Sequence, residues 1–138
     1  MKRCSFILVV AFLVLTVFSV NTWAWIPKEG CTPGYWKQTQ HFDSWCTDYA
    51  PTDLYKDVFG VTPSFGDLTL LQVLKQGGGG EIALARHAVA ALLNACYSLD
   101  FYSPSEVISM VQGAYASGDF ESAKNILEYA NELGCPLN

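Results

Sequence analysis

Few residues of this 138-residue chain have types and spacing suited to chemistry: Lys37, His41, Arg86, His87, a run of four glycines at 77–80, and Cys31, Cys46, Cys96 and Cys135. His41 and Asp43 are two apart, and residues i and i+2 of a helix do not face each other, so a catalytic His–Asp pair is not expected there. His87 follows Arg86, a cation whose proximity lowers the pKa of an imidazole. Lys37 is expected to point into the same region. No serine stands in a G-x-S-x-G elbow, and no serine, threonine or cysteine is otherwise marked as a nucleophile. The expectation is a polar wedge that pairs with Asp or Glu and sets helix register. Any catalysis would have to use Lys37, His41, Arg86 or His87, and that inventory is too short for an enzyme.

The glycine run leads into a helix N-terminus, a geometry that can hold an anion. The chain lacks G-x-x-x-x-G-K-[ST], however, and Glu81 places negative charge where a phosphate would sit, so an interhelical loop is expected. Asp43, Asp48, Asp53 and Asp57 do not follow the spacing of a calcium loop. The four cysteines contain no C-x-x-C pair, which argues against zinc. No metal and no cofactor is expected. The chain has five cysteines, but Cys4 falls in the targeting segment at residues 1–24; the four that remain after its removal make an even count, which in an exported chain reads as two disulfides. Of the three connectivities, Cys31 with Cys135 and Cys46 with Cys96 ties the ends of the domain together and joins two helix ends within it.

The aromatic residues form a second kind of candidate. Tyr35, Trp36, Phe42 and Trp45, with Trp25 upstream, are placed to stack on sugar rings or grip an apolar ligand, or else to fill the core. The binding candidates are accordingly Tyr35, Trp36, Lys37, His41, Trp45, Arg86 and His87.

The elements that must position these residues are helices separated by Pro, Gly and Ser. Thr32-Pro33 starts a helix that carries the aromatics and fades near Cys46. A short helix at 54–59 is closed by Gly60, and Asp67 caps another that the glycine run stops. The most apolar segment, 81–97, winds Ile82, Leu84, Ala85, Ala88, Val89, Leu92, Leu93, Ala95 and Cys96 over most of its circumference. It leaves one wedge for Arg86, His87 and Asn94, with Ala90 between them, and therefore belongs at the centre. Ser103-Pro104-Ser105-Glu106 is a capping box with proline at N1. Gly118 stops that helix. Asp119 caps the last one, whose Phe120, Ala123, Ile126, Leu127, Ala130 and Leu133 recur at helical spacing before Gly134, with Glu121, Lys124, Glu128 and Glu132 on a solvated face. The predicted fold is all-α: five to six short helices around one apolar central helix, stapled by two disulfides.

Residues 1–24 read as a signal peptide, with Lys2 and Arg3 before an apolar run and small residues Thr22 and Ala24 at the −3 and −1 positions. Residues 25–138 then form one secreted domain. Removing Lys2 and Arg3 takes the formal net charge from −5 to −7. That charge argues against nucleic acid and anionic membranes as partners and suits an extracellular, periplasmic or cell-surface protein.

Three segments in order, 30–37 (GCTPGYWK), the glycine run with 84–95 (LARHAVAALLNA), and 133–137 (LGCPL), resemble an uncharacterised domain of secreted and surface proteins, mostly bacterial, that occurs alone or beside other extracellular modules. The resemblance spans nearly all of 25–138. It implies an end-to-end cysteine pairing, which supports Cys31 with Cys135, and it implies no activity. The family's lysine is followed by Asn-His; here Gln38-Thr39 stands there and the histidine comes at His41, which weakens any Lys–His chemistry. The function expected is a non-enzymatic structural or adhesive module with an extracellular partner, self-association included. The alternative is a binding protein for a carbohydrate or small apolar ligand held among the aromatics.

Overall fold

Proline at the first helical position and glycine just past the last set several of the helix boundaries. The computed structural model describes residues 28–99 and 101–137; the targeting segment and Trp25 lie outside the described residues. In chain order the elements are α1 (Pro33–Trp36), a 3-10 helix (Thr39–Ser44), α2 (Tyr55–Phe59), α3 (Leu70–Leu74), α4 (Glu81–Cys96), α5 (Pro104–Ser117) and α6 (Phe120–Asn131). Pro33 and Pro104 open α1 and α5, while Gly60 and Gly118 close α2 and α5 in the left-handed conformation at φ 65° and 77°. Ser103 and Glu106 form the expected capping box, and the Asp119 carboxylate accepts from the Ser122 N–H.

Helices α1, α3, α5 and α6 all pack on α4. Every α4 residue from Leu84 to Leu93 is buried except Arg86, so the central position read from its apolar circumference is the one it holds. Leu70, Val73 and Leu74 of α3, Val107 and Val111 of α5 and Leu127 of α6 close around it. Two disulfides, Cys31–Cys135 and Cys46–Cys96, span 104 and 50 residues of sequence. Among the described residues the fold is all-α, with two isolated antiparallel bridges, Gly30 to Gly134 and Leu54 to Thr69.

Three local expectations are corrected. The aromatic segment is not one helix: α1 is a single turn, Gln38 is extended at φ −87° and ψ 135°, and a 3-10 helix follows. Trp36 and Trp45 are nine residues apart, which on a continuous helix would put them on opposite faces. The break turns both inward, and the Trp45 indole N–H takes up the Trp36 carbonyl at 3.2 Å, an acceptor left open where the helix stops.

The cap of α3 is Thr69, not Asp67. Thr69 and Gln72 form a reciprocal capping box, while Leu54 and Thr69 bridge the chain so that Leu68 accepts from the Tyr55 N–H and Asp53 from the Leu70 N–H. Residues committed to that pairing cannot enter the helix, and Asp67 pairs with Lys56 at 2.8 Å instead.

Helix α6 ends at Asn131, before Gly134, and it buries Ala123, Leu127, Ala130 and Asn131 while Ile126 stays 45% exposed. Gly134 is paired with Gly30 instead, and Gly30 lies against the end of the helix. A Cβ there would collide with the Ala130 carbonyl and sit 2.9 Å from the Asn131 Cα, so only glycine lets the N-terminal strap lie against this end of α6.

Candidate functional site

The three sequence segments that carry the resemblance meet at one place. Asn94, fully buried on α4, points its side-chain amide at the strap beneath α1. Its Oδ1 accepts from the Cys31 N–H at 2.9 Å and from the Trp36 indole N–H at 3.2 Å. Its Nδ2 donates to the Cys31 carbonyl at 3.0 Å and to the Asn131 Oδ1 at 2.8 Å. All four hydrogen-bonding positions of the amide are therefore filled from inside the protein. Around it stand Cys31, bonded to Cys135, and Gly30, whose N–H donates to the Gly134 carbonyl at 2.9 Å. The result is a clasp joining the first turn, the central helix and the C-terminal strap.

Asn131 extends this clasp towards the surface. Its Nδ2 donates to the His87 carbonyl at 2.9 Å and lies 3.4 Å from His87 Nδ1. His87 Nε2 stands 3.5 Å from Glu128, whose other carboxylate oxygen receives Lys124 at 2.9 Å; Lys124 also reaches Glu121 at 3.1 Å. Burial pushes the imidazole pKa below its ordinary value, Glu128 opposes that, and Arg86 and Lys124 reinforce it. Hydrogen bonding from Lys124, aided by the charges of His87 and Arg86, holds the Glu128 carboxyl below the usual range.

The wedge read from α4 therefore exists but is split. Asn94 and Ala90 are sealed, His87 is 9% exposed at the α4–α6 seam, and Arg86 turns towards the glycine run, donating from Nη2 to the Gly78 carbonyl at 2.9 Å. Its Nη1 is buried without a hydrogen-bond partner. Lys37 is exposed, and the charges that face His87 are Glu128, Glu132, Arg86 and Lys124. Lys37 and His87 are thus not brought together.

The aromatic candidates are mostly core. Trp36 is fully buried and Trp45 is 8% exposed. Tyr35 is half-buried, its ring stacked on His41 at 3.9 Å and edge-on to Trp36 at 5.1 Å. Sugar stacking on either tryptophan face is closed off, because a stacking platform needs an open ring face. At the N-terminus of α4, Glu81 accepts from the Ser64 N–H at 2.8 Å and from the Ser64 hydroxyl. Its carboxylate is thereby engaged by Ser64 and adds negative charge to the first turn of α4.

Sequence reasoning missed two groups. Asn131 is one, and its signal was present: a polar amide on the face of α6 that also carries Leu127 and Ala130. The other is the buried phenol of Tyr55, which faces that of Tyr115, with Glu81 beyond. Burial is the first cause that pushes both tyrosines above the usual phenol range; Tyr115 and Glu81 add to it at Tyr55, while at Tyr115 Glu81 adds to it and Tyr55 opposes it. These residues lie far apart in sequence, and nothing in their spacing foretold the meeting.

An open surface depression of about 280 Å³ lies beside the end of α4 and the start of α5, lined by Lys28, Ala95, Ser98, Phe101, Tyr102, Ser103 and Pro104. None of the seven binding candidates lines it. Among the described residues no group of three or more His, Cys, Asp or Glu side chains is placed to hold a metal ion, and no helix is long and apolar enough to cross a membrane. Neither a family model, a curated protein sequence nor a solved structure matches this chain.

Proposed function

We propose that this protein is an extracellular, non-enzymatic module that acts as a stable body presenting its outer surface to a partner. The observation that supports this reading most directly is the clasp. The residues that look most distinctive in sequence, Cys31, Trp36, Asn94 and Cys135, are engaged with one another in the interior. A ligand would find no unfilled donor or acceptor on Asn94. The polar groups nearest to catalysis, His87 and Glu128, sit in a packed seam between two helices, and neither lines the depression beside Phe101. Two disulfides fit an oxidising compartment. Together with the charged start and apolar run of residues 1–20, they support export. The resemblance to domains of secreted and surface proteins supports the same compartment.

A second reading, capture of a small carbohydrate or apolar ligand, is supported by the depression beside Phe101, a residue that is 51% exposed. It no longer draws on Trp36 or Trp45. Native mass spectrometry of the secreted protein, purified without reductant from its producing cells, separates the two. Bare mass, in an assembly or with a protein partner, is the expected result. A monomer carrying a small adduct would overturn the module reading and direct attention to Phe101 and Tyr102.

A further inference from the structure

We propose that His87 is a proton-sensitive latch between α4 and α6: protonating its Nδ1 sets donor against donor at Asn131 and loosens the last turn of α6 from the clasp. The geometry defines the resting state. The Asn131 amide holds His87 from two directions, donating to its carbonyl at 2.9 Å and presenting N–H to Nδ1 at 3.4 Å. Its orientation is not free to change, because Asn131 Oδ1 already accepts from Asn94 at 2.8 Å. Rotating the amide by half a turn would place an NH2 against the NH2 of Asn94. His87 Nδ1 must therefore be the bare, accepting nitrogen, and the proton sits on Nε2, which points at Glu128 from 3.5 Å.

Adding a second proton changes one contact only. Nε2 keeps its direction towards Glu128. Nδ1 turns from acceptor to donor and now opposes an N–H of a fully buried amide, and a buried donor with no acceptor is strongly disfavoured. The charged groups facing the ring are Glu128, Glu132 and Lys124 from α6 and its C-cap, and Arg86 from α4. The two anions favour imidazolium. Arg86, Lys124 and above all burial oppose it, and Glu128 is already engaged by Lys124. The neutral ring is thus the native one near pH 7, and acid acts against the latch. The part released is defined too: Asn131 is the last residue of α6, four residues before Cys135. The disulfide retains the strap while the helix end opens.

The test uses the intact, oxidised protein. Nitrogen-15 NMR of the imidazoles should show His87 as the Nε2–H tautomer at neutral pH, titrating below the ordinary histidine value. Amide exchange, expressed as protection factors to remove the intrinsic pH effect, should show protection at residues 130–132 falling as pH drops below 6.5. The fall should approach tenfold per pH unit at most, while amides of α5 keep theirs. His87→Gln should abolish this dependence and His41→Gln should retain it. An Nδ1–H tautomer, a His87 pKa at or above the ordinary value, equal losses in α5 and α6, or an unchanged dependence in His87→Gln would each overturn the latch. If His87→Gln does not fold, the tautomer and titration of the wild-type ring decide alone.

Discussion

Replacing Asn94 tests the clasp most directly. Asn94→Ala removes four hydrogen bonds at a fully buried position. It strands the Cys31 N–H, the Cys31 carbonyl, the Trp36 indole N–H and the Asn131 oxygen. Each stranded buried group costs about 1–3 kcal/mol. Because the four are neighbours, their costs do not add fully, and a total of about 3–5 kcal/mol is expected, against a typical domain stability of about 5–15 kcal/mol. Asn94→Asp is the informative companion because it conserves shape. Its Oδ1 still accepts from Cys31 and Trp36, but the second oxygen now faces the two acceptors that Nδ2 served.

A carboxylate buried there without a cation is disfavoured, so its pKa must rise above the ordinary aspartate value. Stability linked to a raised carboxyl pKa is poor above the folded pKa and recovers as pH falls towards the unfolded value, because the folded state then binds the extra proton. Urea denaturation followed by fluorescence of the buried Trp36 and Trp45, with disulfides intact, reads both variants at pH 7 and in mild acid. The expected pattern is a loss of several kcal/mol for each at pH 7, with the gap between Asn94→Asp and wild type narrowing in acid. A loss below about 1 kcal/mol, the size of a single ordinary hydrogen bond, or a pH-independent gap would refute the reasoning.

Gly30→Ala should be far more damaging than Gly34→Ala, because the first Cβ meets the Ala130 backbone and the second only the Thr32 hydroxyl; thermal melts of the two variants check the order. Serine at Cys31 or Cys135 should cost roughly 2–5 kcal/mol by loss of the loop closure, and peptide mapping without reductant should recover Cys31–Cys135 and Cys46–Cys96 from wild type. Burial pushes the Glu81 carboxyl up, but hydrogen bonds from the Ser64 hydroxyl and N–H outweigh it and leave it below the usual range. Its contribution is therefore complete above the ordinary glutamate pKa and lost as pH falls through the lowered one. Ser64→Ala should reduce that acid-side loss in a chemical-denaturation series.

Much of the architecture was legible because its signals are local. Proline at N1, the Ser103–Glu106 box, Gly60 and Gly118 at helix ends and the apolar circumference of 81–97 act within one or two turns, and each stands where the chain alone placed it. The T-x-x-Q of Thr69 and Gln72 is an equally local signal, and it outcompetes Asp67 as the cap of α3. The split of the aromatic helix was not local. Spacing alone fitted one helix, and what broke it was the demand of a shared core that Trp36 and Trp45 both face inward.

The polar residues divide the same way. From sequence, Arg86, His87 and Asn94 formed a single wedge on one helix, because they share a face when wound at the helical period. Only packing could separate them. Asn94 was sealed by a strap 63 residues before it and an asparagine 37 residues after it, His87 reached the seam with α6, and Arg86 turned to the glycine run. The longer helices, the central place of 81–97 and the stapling by cysteines were legible in the chain, since periodicity, caps and cysteine count depend on near neighbours. Tertiary structure decided what each polar group does. A hydrogen bond or a pKa depends on atoms within a few ångströms in space, and in this protein those atoms come from ends of the chain a hundred residues apart.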